Sequence, residues 1–416
     1  MNEINQLFLE SLDASLRGER VQWENPLSTQ DWAALLKLAQ VHQVLPMIFE
    51  AVYACPAARS ADAQLMQLAK RQTMQSVMMQ AMKTGELLAL VKHLQAAGVT
   101  PCVVKGIVCR SLYPNPDHRV SGDEDVLIPP EQFERCHEAM LAFGMQPADP
   151  QQDMQAAHEV PYGKPGSPLY IELHKHLFPP ESDAYGDFNR FFADAHAHTT
   201  QILVDGTPLT TLCPTDHFFY LICHAFKHFL HSGFGIRQVC DIVLFAGRYG
   251  QEIDWAAVLE NCRDIRAEQF VAALLKIGRK YLGFNPNAAG VPQAWQEIAV
   301  DEGPMLSDLL ESGVFGDATM SRKHSSTMTL NAVVADRRGR KAGGNVLRTI
   351  FPSRKALEGR YPFLRTKPWL LPVAWVRRIA HYAAERRSAG ADNKAAESLR
   401  IGSERVELLR RYGVIK

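Results

Sequence analysis

Two aspartates separated by one residue give this sequence its clearest chemical signal. They lie in residues 121–128, which read Ser-Gly-Asp-Glu-Asp-Val-Leu-Ile and have the character of a β-strand. Successive side chains of a strand point to opposite faces, so Asp123 and Asp125 project together while Glu124 points away. Two carboxylates this close repel each other unless a cation or a proton neutralises them, and oxygen ligands suit Mg²⁺. The pair therefore predicts a metal site.

A third carboxylate, Glu172, lies downstream in a strand-like run, residues 168–174. The turn residues 163–167 (Gly-Lys-Pro-Gly-Ser) precede it and predict a hairpin that brings Glu172 beside the aspartates. His174 shares the face of Glu172, so we expect it to line the same pocket, with a purely structural histidine as the alternative.

Upstream of the aspartates, a short apolar strand at residues 101–104 breaks at Lys105-Gly106 and continues into a helix-like run, residues 107–113. A strand that feeds a helix in this way presents free N–H groups, here with one ammonium, where a phosphate can bind. The order along the chain is therefore a phosphate-binding turn, an Asp-x-Asp strand and an acidic strand.

This order resembles the nucleotidyltransferases of the DNA polymerase β superfamily, and more closely a bacterial family of uncharacterised nucleotidyltransferases. The motifs that carry the resemblance are Lys105-Gly106, Tyr113-Pro114, Arg119 with Asp123 and Asp125, and Glu172-Leu173-His174. Further matches, spread over most of the chain, are Asp31-Trp32, Ala39, His42, Leu221, His224, Lys227-His228, Asp241 and Asp254-Trp255.

Two positions depart from the superfamily pattern. Lys105-Gly106 stands where Gly-Ser is usual, and Glu124 stands between the aspartates where an apolar residue is usual. From Glu124 we expect the far face of the strand to be incompletely buried. The same departure motivates an alternative function, that of a catalytically silent nucleotide-binding or scaffold protein with this fold.

The resemblance implies that a nucleoside monophosphate moves from an NTP, such as ATP, to a hydroxyl of an unidentified acceptor, with release of pyrophosphate. Asp123 and Asp125 would hold two Mg²⁺ ions, and Glu172 would ligate the second ion and accept the proton of the hydroxyl. Lys105 and the Gly106 turn would contact the leaving phosphates. A small molecule, a sugar, a protein or an RNA could be the acceptor.

The resemblance also assigns Arg119 to the phosphates or to the carboxylates, and a structural or surface arginine is the alternative. The basic residues of a later helix, His224, Lys227 and His228, are expected to face the substrate phosphate or base, with core packing as the alternative.

That later helix also carries a histidine stripe, which raises a competing metal chemistry. The histidines on the stripe are His217, His224, His228 and His231. His224 and His228 have the i, i+4 spacing of a zinc pair, so a zinc-dependent hydrolase is a further alternative. However, Ala225 replaces the glutamate of the zinc-protease motif, and no acidic third ligand is evident nearby.

The composition is that of a protein with ample core. At 416 residues, with 46% hydrophobic and 22% charged residues, we expect two or three packed units. Eight scattered cysteines without a Cys-x-x-Cys pair favour a reducing cytoplasm. Neither an export signal nor an apolar run of about 18 residues is found, so stable membrane insertion is not expected. P-loop, dinucleotide-binding and α/β-hydrolase motifs are also absent from the sequence.

The charge is balanced overall but unevenly distributed. Residues 321–416 contain 22 Lys and Arg against 7 Asp and Glu, whereas residues 1–320 contain 23 against 38. We expect pairing between the two parts, with attraction of a nucleotide, a polyanionic acceptor or a membrane surface as alternatives. Within residues 348–387, Trp369 and Trp375 are expected to pack into the core of a docked helix rather than to lie in a membrane interface.

The periodicities predict an α+β protein, with a small mixed-sheet nucleotidyltransferase core embedded in N- and C-terminal helical regions. We place a helical region at residues 1–98, the α/β core at 99–212, a helical domain at 213–315 and a basic, mainly helical region at 316–416. A long helix at residues 61–97 carries a methionine stripe that we expect to pack in the core. Residues 316–345 are expected to form a mobile connection.

Overall fold

The computed structural model describes residues 1–180, 182–313, 320–339, 354–357, 361, 363–378 and 394–416. Its centre is a seven-stranded mixed sheet. The strands are β1 (Cys102–Val104), β2 (Glu124–Leu127), β3 (Gln146–Pro147), β4 (Glu159–Gly163), β5 (Tyr170–His174), β6 (Thr199–Val204) and β7 (Thr207–Leu212). Their order across the sheet is β3-β4-β5-β2-β1-β7-β6. The predicted α+β class, with a small mixed sheet between helical regions, is confirmed.

Helices precede and follow the sheet. Those before or within it are α1 (Glu3–Leu16), α2 (Thr29–Val41), α3 (Leu45–Val52), α4 (Ala63–Ala96), α5 (Gly106–Arg110) and α6 (Phe133–Ala142). Those after it are α7 (Pro214–Leu230), α8 (Ile236–Tyr249), α9 (Trp255–Asp264), α10 (Glu268–Tyr281), α11 (Gln293–Gln296), α12 (Gly303–Ser312), α13 (Met320–Arg337) and the C-terminal helix (Lys394–Arg411). Short helical pieces lie at Arg354–Leu357, Phe363–Thr366 and residues 371–378.

The hairpin predicted from the turn at residues 163–167 is confirmed, and a second hairpin lies later in the sheet. Strands β4 and β5 pair antiparallel, as do β6 and β7. The second hairpin turns at Asp205 and Gly206, whose φ angles are 46° and 72°. Two successive left-handed residues form the turn type that matches the twist of a hairpin, and Asp-Gly is a favoured sequence for it.

The strand register brings the chemical residues to one edge of the sheet. Strand β2 runs antiparallel to β1, with Asp125 opposite Val104, and parallel to β5, with Asp125 beside Glu172. Lys105 directly follows β1. The end of β1 and the beginnings of β2 and β5 therefore meet where Lys105, Asp125 and Glu172 lie.

Four of the five methionines of α4 are exposed, which contradicts their predicted core packing, whereas Met66 packs against the main core. The fractional exposures are 62% for Met74, 58% for Met78, 41% for Met79 and 47% for Met82. The buried face of this part of the helix consists instead of Ala69, Thr73, Gln80, Lys83 and Thr84. Polar groups here contact backbone of the following loops, so the apolar methionines occupy the opposite face.

The predicted mobile connection is wrong over residues 320–337, which form helix α13. Its hydroxyl residues bond to carbonyls of the same helix: Ser325 donates to Arg322 O at 2.6 Å and Thr329 to Ser326 O at 2.8 Å. Ala332 and Val333 are buried in the main core. The parts of the predicted connection at residues 316–319 and 340–345 lie outside the described residues.

A buried charge cluster, which we call the C-terminal clasp, joins the end of the chain to α7. Its members are Asp308, Arg322 and Arg405, and both arginines pair with the aspartate. Arg405 Nη2 also donates to Phe229 O at 2.6 Å, and Arg322 Nε to Ser232 O at 3.0 Å. Both carbonyls lie at the carboxyl end of α7, so the clasp fixes that end while pairing basic residues of the C-terminal region with the acidic body.

The aromatic residues of the basic region divide. Trp369 is 71% exposed, so its predicted place in a core is wrong. Trp375 packs against a small cluster formed by Leu357, Leu364 and Ala374, which is separate from the main core. The rest of residues 348–387 lies outside the described part. Among the described helices, none combines the length and apolar character needed to cross a membrane.

Candidate active site

Three side chains from β2 and β5 converge at the sheet edge. They are Asp125, Glu172 and His174, and one potential ligand atom from each lies within 4.8 Å of the others. In the described part of the chain this is the one group of three or more such residues close enough to hold a metal ion. Asp125 and His174 are buried, whereas Glu172 is half-buried. We call this group the carboxylate centre.

Asp125 is held as an anion by two partners. Lys105 Nζ lies 2.8 Å from its Oδ2, and His174 Nε2 lies 3.2 Å from its Oδ1. Burial raises the pKa of Asp125, but the charge of Lys105 and the hydrogen bond from His174 outweigh it, so that pKa is well below its usual range. Burial lowers the pKa of His174, but the hydrogen bond to Asp125 and the nearby carboxylates outweigh this effect and raise that pKa above its usual value.

Glu172 experiences the opposite environment. Burial and the charges of Asp125, Asp123 and Glu159 raise the pKa of Glu172 to about 7. Glu159 faces the same centre from β4, with its Oε2 3.6 Å from His174 Nδ1, a buried nitrogen that has no hydrogen-bond partner. The positive charge at the centre is therefore not enough to neutralise all of its carboxylates, so its oxygen-rich donor set fits a divalent cation.

Asp123 lies close to the carboxylate centre but outside its tightest group. It immediately precedes β2 and is half-buried. Its charge acts on Glu172, Lys105 and Lys83. Of the predicted ligand set, Asp125 and Glu172 lie in the carboxylate centre together with His174, whereas Asp123 lies outside that group but near enough for its charge to act on Glu172.

The expectation that the far face of β2 is incompletely buried is wrong. Glu124 is 0% exposed. Its Oε1 accepts from Arg110 Nη1 at 2.8 Å and from Ser121 Oγ at 2.9 Å, and its Oε2 accepts from Ile107 N at 2.8 Å. Sequence reasoning did not anticipate Arg110, which comes from the buried helix α5. We call this the closed face of β2.

Gly106 is explained by the closed face. A Cβ at this position would lie 2.0 Å from Glu124 Oε2, so only glycine allows the carboxylate to reach the first turn of α5. The N–H of Ile107 in that turn is already bonded to Glu124. Lys105 N donates to His217 Nε2 at 3.0 Å. Two of the amides in the predicted phosphate-binding turn are thus engaged within the protein.

Arg119 contacts Asp241 on α8 instead of the carboxylate centre. Its Nε lies 3.1 Å from Asp241 Oδ1 and its Nη2 lies 2.5 Å from Oδ2. Tyr113 donates its hydroxyl to the same carboxylate at 2.8 Å. The pair is buried and bidentate, a geometry that fixes the position of the chain before β2.

Further polar residues, which sequence reasoning missed, anchor the loop that leads into β2. Lys83 Nζ donates to the carbonyls of Ser121 and Gly122 at 2.6 and 2.8 Å. Gln80 Oε1 accepts from Ser121 N at 2.8 Å, and Arg237 donates to the carbonyl just before it. A usable signal was present, because Gln80 and Lys83 follow the same helical spacing as the buried Leu87.

Helix α7 packs against Lys105 through its histidines. His217 is fully buried, and its two ring nitrogens contact Lys105 N at 3.0 Å and Thr211 Oγ1 at 3.1 Å. Burial lowers the pKa of His217 to about 3. Lys105 has a φ of 55°, so the histidine supports a left-handed backbone conformation that a lysine rarely adopts.

His224 and His228 lie one turn apart on the side of α7 that faces the centre. His224 Nε2 is 3.2 Å from Lys105 Nζ, and the two imidazole rings are 4.8 Å apart. Burial, with the charge of Lys105, lowers the pKa of His224 well below its usual value, and burial, with Lys227, lowers that of His228 to about 3. Lys227 Nζ lies 5.9 Å from the ring centre of Phe178.

The zinc-hydrolase alternative finds no support in this arrangement. Within the described ranges, His224 and His228 belong to no group of three potential ligands. The Nε2 atom of His224 lies 3.2 Å from the ammonium of Lys105, a cation that would repel a zinc ion bound there.

Comparison with known proteins agrees with the fold and the geometry. The model of a family described as uncharacterised nucleotidyltransferase matches residues 28–283, more than half of the chain. The match includes the carboxylate centre, Lys105 and α7. Neither a curated protein nor a solved structure matches the chain. The chain therefore belongs to this family of uncharacterised nucleotidyltransferases.

Proposed function

We propose that this nucleotidyltransferase uses Mg²⁺ to move a nucleoside monophosphate from an NTP to a hydroxyl of an acceptor. The observation that carries the proposal is the carboxylate centre, in which Asp125 and Glu172 lie side by side on neighbouring strands. The ammonium of Lys105 lies 2.8 Å from Oδ2 of Asp125. Asp123, Asp125 and Glu172 would hold the metal. When bound, Mg²⁺ neutralises phosphate charge and lowers the pKa of the acceptor hydroxyl.

In the proposed reaction, the acceptor oxygen forms a bond to the α-phosphorus as the bond between that phosphorus and the bridging oxygen breaks. Pyrophosphate leaves with the bonding electrons, and the hydroxyl proton passes to Glu172. His174 positions Asp125 by its hydrogen bond.

The cationic side of the site would bind the triphosphate. Lys105 and Lys227 supply positive charge there, and His224 and His228, neutral at pH 7, offer hydrogen bonds to phosphate or base. Arg119 acts as a positioning residue through Asp241. Gly106 allows Glu124 to fix the chain beside Lys105.

A catalytically silent protein was suggested by Glu124 alone. The closed face explains why a glutamate stands at position 124, because Arg110 and two hydrogen-bond donors balance its charge. The carboxylate centre keeps all of its own side chains. Release of pyrophosphate on addition of an acceptor would exclude the silent alternative directly.

Isothermal titration with each of the four NTPs, with and without Mg²⁺, tests the proposal. We expect at least one NTP to bind only with Mg²⁺, and the double variant Asp123→Asn/Asp125→Asn to weaken that binding at least ~100-fold, or about 2.7 kcal/mol. Glu138→Gln, which removes one exposed carboxylate from α6, serves as the control and should leave binding unchanged. The proposal is overturned if no NTP shows Mg²⁺-dependent binding, or if binding survives in the double variant.

A further inference from the structure

Two adjoining pockets lie between α4, the junction of α2 and α3, and the loop before β2. Their volumes are about 280 and 290 Å³, and they share Gln75, Ser76 and Val120 as lining residues. Together they form one groove, which we call the amide groove. Small-molecule sites commonly begin at about 300 Å³, so the groove has room for a small ligand.

The lining of the amide groove is polar but almost uncharged. Its carboxamide side chains are Gln40, Gln43, Gln72, Gln75 and Gln80. Lys83 is the one charged residue among the described residues that line it, and no carboxylate lines it. Apolar surface is supplied by Leu45, Pro46, Met79 and Pro168. This composition contrasts with the carboxylate centre, where every polar group is ionisable.

Two lining residues have unused hydrogen-bonding capacity. Gln80 is only 1% exposed, its Oε1 accepts from Ser121 N, and its Nε2 is buried without a hydrogen-bond partner. Lys83 Nζ donates to two carbonyls and has a third N–H. An oxygen of a bound ligand that reached these donors would satisfy hydrogen-bonding capacity that the protein leaves unused.

Two chain segments connect the lining of the amide groove to the carboxylate centre. Ser121 lines it and lies two residues before Asp123. Pro168 lines it and lies just before β5, which carries Glu172. Lys83 also lines the groove, and its Nζ donates to Gly122 O at 2.8 Å, directly before Asp123, so the groove and the backbone at Asp123 are close in space.

We propose that the amide groove is the acceptor subsite and that it takes an uncharged, polyhydroxylated acceptor, a sugar or a polyol. This inference rests on the proposed nucleotidyl transfer. A carboxamide both donates and accepts hydrogen bonds, as a hydroxyl does, and the apolar residues suit the C–H faces of a sugar ring. A cationic acceptor would find no carboxylate in the groove. A phosphorylated acceptor would find one ammonium that is already bonded to two carbonyls.

The test compares two identical substitutions on α4. Gln75→Trp fills the part that both pockets share, and Gln67→Trp places the same ring on an exposed position of the same helix outside the groove. Saturation-transfer NMR on the full chain with Mg²⁺ and a non-hydrolysable NTP analogue would measure binding of glucose and myo-inositol. Glucosamine and glucose 6-phosphate are the cationic and anionic comparisons.

We expect a neutral probe to bind the wild-type protein and the Gln67→Trp variant with equal affinity. In both proteins the neutral probe should bind at least fivefold more tightly than either charged probe. Gln75→Trp should weaken that binding at least tenfold while its affinity for the NTP analogue stays within twofold. Tighter binding of a charged probe, equal binding in Gln75→Trp, or no binding of neutral probes would overturn the acceptor assignment. In each case intact Mg²⁺-dependent NTP binding would leave the proposed function standing, whereas its absence would overturn the function itself.

Discussion

The two faces of strand β2 treat neighbouring carboxylates in opposite ways. On the closed face, Glu124 meets one guanidinium, one backbone amide and one hydroxyl, and its charge is balanced inside the protein. On the other face, Asp125 is balanced by Lys105 and His174, but Glu172 is not, so its pKa rises to about 7. Burial of an acid in a strand therefore does not mark a site. An unbalanced charge that solvent can reach does.

Replacing Glu124 by alanine should have the largest effect on stability. It leaves Arg110 buried without its ionic partner. Breaking a buried pair on one side costs about 3–5 kcal/mol, so we expect a loss of this size in the free energy of unfolding by urea titration. The control Glu131→Ala removes an exposed carboxylate and should change stability by less than about 0.5 kcal/mol.

A second variant separates charge pairing from general damage to the core. Replacing Glu124 by Gln and Arg110 by Met together removes both charges. We expect the double variant to be more stable than Glu124→Ala, because no unpaired ion remains. If the double variant is less stable than Glu124→Ala, charge pairing on the closed face is not the reason for the burial of Glu124.

Gly106→Ala should have an intermediate effect. The new Cβ would lie 2.0 Å from Glu124 Oε2, so the carboxylate must move from its partners. We expect a loss of about 1–3 kcal/mol, the usual range for overpacking, measured by thermal and urea unfolding. In a Glu124→Ala background the obstruction is absent and the same substitution should cost nothing. An equal cost in both backgrounds would point to the backbone of α5 instead.

Glu172→Gln should have the smallest effect, and of opposite sign. Because the folded state favours the protonated carboxyl, the contribution of Glu172 to the free energy of unfolding falls as the pH rises from about 4.5 to about 7. Glutamine does not titrate, so with EDTA present the variant should be about 1–2 kcal/mol more stable at pH 8 and no more stable at pH 4.5. Unfolding curves at the two pH values measure this. A variant that is less stable at pH 8 would show that Glu172 is balanced after all.

The strand periodicity was sufficient to predict the core of the site. Asp125, Glu172 and His174 follow from alternation along two strands and from a hairpin with a Gly-Lys-Pro-Gly turn, all of which are local signals. The Asp205-Gly206 hairpin is equally local. The alternation and the turns depend on neighbours in sequence, whereas the contact between Asp125 and His174 spans 49 positions and was expected only because the turn at residues 163–167 predicted that the acidic strand folds back beside the aspartates.

The supporting residues could not be predicted in the same way. His217 reaches Lys105 across 112 positions, and Lys83 reaches Ser121 across 38. Each bonds to backbone, which carries no residue-specific signal. Glu124 was misjudged because its partner Arg110 comes from a different element. The exposure of the methionines of α4 could not be predicted from their apolar character, because the polar side chains of Gln80 and Lys83 form the buried face of this part of the helix.

The C-terminal clasp links the site to the synthesis of the chain. Arg405 bonds to Phe229 O, 176 positions earlier, at the end of the helix that carries His224 and Lys227. As a nascent chain leaves the ribosome, α7 emerges long before the arginine that fixes it. Asp308, 97 positions ahead of Arg405, also waits for that partner. Translation stopped between Arg322 and Arg405 would therefore yield a chain in which the carboxylate centre is encoded in full but Arg322 alone of the two arginines holds the carboxyl end of α7.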